Sequence, residues 1–138
     1  MKQELSKSTA LASEIKTLIE QSKQQVSVAI NATITMLYWQ VGNRISTEML
    51  KEQRAEYGKE IVASLSKHLE LEYGSGWSKR HLHHCIRFAE IYPDLNIVHT
   101  LCTQLSWSHL RLIAPMEDEL KRQLYIEICK VEKWSGYN

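Results

Sequence analysis

The sequence is short of chain breakers. It has two prolines, Pro93 and Pro115, and five glycines in 138 residues, so little stands in the way of long helices. It lacks any convincing alternation of apolar and polar residues longer than about four, which argues against a sheet. Its three cysteines, Cys85, Cys102 and Cys129, are an odd number without a Cys-x-x-Cys pair. That speaks against a disulfide framework and fits a reducing, cytoplasmic setting. Charge of one sign is also missing. Lysine and arginine number 17 against 16 carboxylates, a formal net charge of +1, so any case for nucleic acid must rest on local clustering. No apolar run follows Met1-Lys2-Gln3-Glu4 to make a secretory signal. Gly74-Ser75-Gly76 lacks the lysine of a phosphate-binding loop. The 20 residues from Gln24 to Asn43 carry no charge and could span a bilayer by length. Their amides and hydroxyls, among them Gln24, Gln25, Asn31, Thr33, Thr35 and Gln40, argue instead for a helix buried on one side or in a subunit interface, with no membrane partner.

What is present is helical periodicity. Residues 1–7 are polar and read as a flexible terminus. Ser8 or Thr9 is a candidate cap. From there Leu11, Ile15, Leu18, Ser22, Val26, Ala29, Thr33, Leu37, Val41 and Ile45 advance in steps of three and four. One helix to Leu50 would be about 60 Å long at ~1.5 Å per residue, more than so small a domain can cover. Either it projects and finds a partner, with its first half under-packed, or it folds into a hairpin within one subunit. Tyr38, Trp39, Ile45 and Met49 form a candidate core cluster, and Gly42 marks a close approach of another helix.

The stretch Lys51–Gly58 contains a turn. A second helix follows over 59–73, with Ile61, Val62, Leu65, His68 and Leu69 on one face and Gly74 just past its end. Gly74 and Gly76 permit a backbone with φ > 0. Ser78 is placed to cap a third helix, in which Leu82, Cys85, Ile86 and Ala89 face a core. That helix stops before Pro93. Asp94–Val98 reads as a loop and Ile97–Leu105 as a short helix or extended connector. Ser106 or Ser108 starts another helix, and Glu117-Asp118-Glu119 supplies acids to the first turn of a last one carrying Leu120, Leu124, Ile128 and Val131. The class is all-α.

Chemistry-bearing groups are few. His81, Cys85, His99 and Cys102 are a nominal Cys₂His₂ set, but their spacing is not that of a zinc finger, and a buried cysteine beside solvent-facing histidines explains the same letters. His84 and Cys85 point about 100° apart on a helix, which argues against a nucleophile–base pair. Glu52, Glu56, Lys59 and Glu60 read as a solvated face. No catalytic residue, metal or cofactor is expected. The remaining constellation is cationic. Trp77 to Ala89 holds three formal positive charges and no carboxylate, on the second helix of a helix–turn–helix unit spanning about 59–91. In such a unit the start of the second helix meets base edges. Lys79, Arg80 and His83 are therefore the expected readers, and His84, Arg87 and Lys67 the expected phosphate contacts. Glu70, Glu72, Glu90 and Asp94 would oppose a duplex if they faced the same way.

Several blocks together resemble a known family. They are Leu37-Tyr38-Trp39-Gln40-Val41-Gly42, Ala55-Glu56-Tyr57-Gly58-Lys59, Trp77-Ser78-Lys79-Arg80-His81-Leu82, Arg87-Phe88-Ala89-Glu90-Ile91-Tyr92-Pro93, Gln104-Leu105-Ser106-Trp107-Ser108-His109, and Tyr125 to Trp134-Ser135. Their order over about residues 10–135 resembles the N-terminal domain of the bacterial YhcG-like family, a domain of unknown function. The Gln104–His109 block is the most specific part. The resemblance implies a helical, winged-helix-like DNA-binding module that normally precedes a PD-(D/E)XK nuclease domain. The position of His81 is often Asn in that family and that of Cys85 often Met, which speaks against a metal there. Ser78, Arg80 and Leu82 match the family pattern. The resemblance fades after Trp134-Ser135, so residues 8–135 are expected to be one domain and 136–138 a tail, with the nuclease half absent.

The expected function is a non-catalytic, cytoplasmic module that binds double-stranded DNA, with a homodimer possible through the helix at 8–50. The alternative is a protein-interaction or dimerisation module that positions a partner nuclease, with Trp39, Trp77, Trp107 and Trp134 partly at the interface.

Overall fold

The computed structural model describes residues 2–52 and 55–136, the side chains of Ala55 and of 132–136 excepted. Trp134 as an interface residue therefore lies outside the described side chains. Among the described residues six helices follow one another: α1 (Lys2–Glu52), α2 (Ala55–Tyr73), α3 (Lys79–Ile91), α4 (Leu95–Gln104), α5 (Trp107–Ile113) and α6 (Glu119–Gly136). The all-α class holds. The described residues include no strand, and so nothing that could serve as the β-wing of a winged helix.

Helix α1 is continuous for 51 residues, about 77 Å at 1.5 Å per residue. The hairpin alternative is thereby excluded. The expected cap at Ser8 or Thr9 is also corrected, since the helix begins at Lys2. Thr9 instead donates its hydroxyl to the Leu5 carbonyl at 2.9 Å. Thr17, Thr33 and Thr47 do the same one turn back, so each hydroxyl is satisfied within the helix. α1 runs to Glu52 and α2 starts at Ala55 rather than at 59; the turn expected within Lys51–Gly58 falls partly on residues 53 and 54, which lie outside the described residues.

The side of α1 that meets the domain differs from the most apolar line of its sequence. Thr35, Trp39, Gly42 and Ile45 are its buried residues. A Cβ on Gly42 would overlap the Cys85 carbonyl and come within 2.8 Å of the Ile86 nitrogen, so the glycine is what lets α3 touch α1 backbone to backbone. Trp39 Nε1 donates to the Tyr92 carbonyl at 2.8 Å, and Asn31 Nδ2 to the Leu105 carbonyl at 2.9 Å. These bonds tie α1 to the carbonyls at the ends of α3 and α4, which no next turn would otherwise use.

Two apolar cores lie beside this seam. One joins Trp39, Phe88, Val98, Leu101, Leu105, Leu110, Ile113 and Ile126. The other joins Ile45, Val62, Leu82 and Ile86, with Ile61, Leu65 and Leu69 at its margin. His68, grouped above with that face of α2, is exposed. The loop expected at Asp94–Val98 is a further correction: Asp94 is an N-cap, its carboxylate accepting from the Asn96 N–H at 2.9 Å, and α4 starts at Leu95. Ser106, not Ser108, caps α5. On α6 the buried residues are Ile126 and Cys129, whereas Leu120, Leu124, Ile128 and Val131 are exposed.

Candidate nucleic-acid interface

The junction between α2 and α3 is built by three short-range devices. Gly74 adopts φ +103° and its N–H donates to the Glu70 carbonyl at 2.9 Å, closing α2 with the left-handed residue that glycine tolerates best. Gly76 does not use a positive φ. Ser78 accepts from the His81 N–H at 3.2 Å and caps α3. The buried Ser66 on α2 places its Oγ 3.0 Å from the Trp77 carbonyl and 3.1 Å from the Glu70 carboxylate, pinning the turn to the helix before it.

Aromatic packing holds α3 from one side. The Tyr38 ring lies 4.4 Å from His81, 5.9 Å from Trp77 and 4.8 Å from Trp107, centroid to centroid. Trp77 and Trp107 also meet His81 edge-on, an arrangement aromatic rings prefer. Trp39 is buried, whereas Trp77 and Trp107 are half-buried in this cluster. Beneath it Leu82, Cys85, Ile86, Phe88 and Ala89 are buried. The apolar side of α3 is thus fully occupied.

The other side carries the expected contacts. Lys79, Arg80, His83 and Arg87 are all exposed, and His84 is partly so. By helical spacing they share one face. Burial lowers the His84 pKa from its usual 6.5, and the charges of Arg111, Arg80 and His83 lower it further. His81 is lowered by burial first, then by His84 and Arg111. Arg111, exposed on α5, therefore belongs to the same electrostatic group. It was missed in the sequence because only the packing of α5 on α3 brings it there. Lys67 is exposed on α2. Glu90 is exposed and, by spacing, falls on the line of Lys79, His83 and Arg87, the one acid in register with them.

Neither cysteine chemistry nor a metal finds support in the geometry. Burial pushes the Cys85 thiol up to about 12, so it stays protonated at neutral pH and is a poor nucleophile or ligand. Its Sγ lies 3.7 Å from His81 Nε2, but His99 is exposed on α4. Among the described residues no three His, Cys, Asp or Glu side chains cluster as a metal site. Among the same residues no helix is long and apolar enough to cross a membrane.

With this geometry in view, the comparisons with known proteins agree on family. The family model described as DUF1016 N-terminal domain matches residues 14–138. The sequence is 30% identical over 90 residues to the Escherichia coli (strain K12) protein named Putative nuclease YhcG. That match covers 64% of this chain and 24% of the relative. No solved structure matches. The YhcG-like resemblance is borne out, and the chain belongs to the DUF1016 N-terminal domain family.

Proposed function

We propose that the chain is a non-catalytic module that binds double-stranded DNA through the exposed face of α3, acting as the second helix of a helix–turn–helix unit. The observation that carries this reading is the gathering of Lys79, Arg80, His83, His84 and Arg87 on one accessible face, in a chain whose net charge is only +1. Arg111 extends that patch from a neighbouring helix. Arginine at the start of a helix suits base edges and the rest suits phosphates. Lowered histidine pKa values mean that His84 is largely neutral in the free module, and a polyanion would favour its protonated form. That the relative is named a nuclease supports nucleic acid as the ligand. The YhcG-like pattern adds a catalytic domain after this one, so the module's task would be to present DNA rather than cut it.

A second reading has its own observation. Leu120, Leu124, Ile128 and Val131 are exposed along α6, which suits an interaction module that seats a nuclease domain there. The two readings separate in a fluorescence-anisotropy titration with random duplex DNA at about 50 and about 200 mM salt. The DNA reading expects binding at the lower salt that weakens at least tenfold at the higher. No binding at about 50 mM would remove it and leave the interaction reading.

A further inference from the structure

Helix α1 has two faces with opposite fates. Thr35, Trp39 and Gly42 seat it on the domain. Turned away from them runs a second, apolar line that includes Leu11, Ile15, Leu18, Val26, Ile34 and Leu37, all between 40% and 62% exposed. At 3.6 residues per turn the two lines are centred about 180° apart. The exposed line is longer than the domain: residues 2–23 are exposed without exception. With Ile19 and Ile30 it offers surface on the order of the ~800 Å² that each partner of a standard interface contributes. The charge-free run from Gln24 to Asn43 occupies its middle and far end, although a solvent-facing helix surface ordinarily carries charge.

We propose that a second copy of this chain covers this line, with the two α1 helices antiparallel and the two-fold axis near Val26. Three observations select that partner and that direction. First, the positions 11, 15, 18, 22, 26, 30, 34, 37 and 41 of that line, apolar except for Ser22, are spaced 4, 3, 4, 4, 4, 4, 3, 4. The series reads the same in both directions about Val26, as an antiparallel self-pairing requires, because residue i then meets residue 52 − i of the partner. Second, this pairing lays Lys16, Glu20 and Lys23 of one copy alongside the charge-free run Gln24–Asn43 of the other. The charged half meets the charge-free half, and the like charges opposed in this register, Glu4 and Glu48, lie near the ends of the pair. Third, the line ends in an open apolar groove of ≈ 450 Å³ between α1 and α2, walled by Val41, Ile45, Ile61, Leu65 and Leu69. In the antiparallel pair that groove receives the first turns of the partner's α1, where Leu5 is exposed and touches no domain of its own.

Light scattering coupled to size exclusion, at tens of micromolar chain, reads the association directly. The expected mass is about twice 16.1 kDa. Ile15→Glu with Ile34→Glu halves it, while far-ultraviolet circular dichroism keeps its helical signal because both residues lie outside the cores. Direction is read by oxidative cross-linking. Ser22→Cys and Ile30→Cys combined in one chain give a disulfide-linked dimer, and neither alone does; the native cysteines are buried and the unsubstituted chain is the control. A mass of 16.1 kDa for the unsubstituted chain would overturn the proposal and leave the line to another polypeptide. Efficient cross-linking of the Ser22→Cys variant alone would also overturn it, in favour of parallel helices.

Discussion

The two halves of α1 belong to one uninterrupted helix, yet they teach different things. The carboxyl half, from Asn31 to Met49, packs on α3 and α4 through Trp39 and Ile45 together with the small or polar Asn31, Thr35 and Gly42. The amino half, to Lys23, packs on nothing in its own chain, although it carries Leu11, Ile15 and Leu18. Close approach of backbones and hydrogen bonds to helix-end carbonyls decide the first. Apolar content alone decides nothing in the second until another surface arrives. α6 repeats the lesson, with Leu120 and Leu124 exposed and Ile126 buried.

If that contrast is right, substitutions of similar size should differ sharply by region. Phe88→Ala empties a fully buried site in the core against Trp39 and should cost about 3–5 kcal/mol. Leu124→Ala on the exposed face of α6 should stay within about 0.5 kcal/mol. Urea denaturation at fixed protein concentration measures both. A large loss at Leu124 would mean that its face is covered after all.

Gly42→Ala sharpens the comparison within α1 itself. The added methyl would meet the Cys85 carbonyl, which is backbone and cannot rotate away. A loss of about 3 kcal/mol is expected, at the upper end of ordinary overpacking. Ser22→Ala, in the amino half, should leave the unfolding of the domain core unchanged. Equal effects at the two positions would dissolve the distinction between the halves.

A smaller effect should follow pH. His81 packs against Tyr38 in the seated half of α1, and the folded state lowers the pKa values of both His81 and His84 from 6.5, mainly by burial. Below about 6.5 the unfolded chain therefore binds more protons than the folded one. The stability they contribute is complete above that pH and falls as pH drops toward the folded values. Thermal melts from pH 7.5 down to 5 should show the decline, and His81→Gln should flatten it. A midpoint that rises on acidification would contradict the assignment.

Much of the core arrangement was legible in the sequence. Ser78 as a cap, Gly74 as the residue past α2 and Gly42 as a contact point are local signals, each with its own short-range cause. The cationic face was legible too, because Lys79, Arg80, His83 and Arg87 sit on a helix whose other face is apolar. Three things were not. The start of α4 was hidden because Asp94 after a proline reads as loop as readily as cap. Part of the seated side of α1 was hidden: Trp39, Ile45 and Gly42 were legible, but Asn31 and Thr35 were not, because the stronger apolar line faces solvent. Arg111 was hidden because nothing along the chain relates α5 to α3; the contact is made in space, where Trp107 meets His81 and Phe88.

The central claim concerns what the exposed face of α3 is for. Its most direct test is the salt dependence of duplex binding by the unsubstituted chain and by the Arg80→Ala/Arg87→Ala variant. Each phosphate neutralised contributes about 0.9 to the slope of log affinity against log salt. Loss of Arg87 from a phosphate should therefore lower the slope by about 0.9, and loss of Arg80 from base edges should weaken binding at every salt concentration. An unchanged slope in the variant would contradict the assignment of DNA binding to α3.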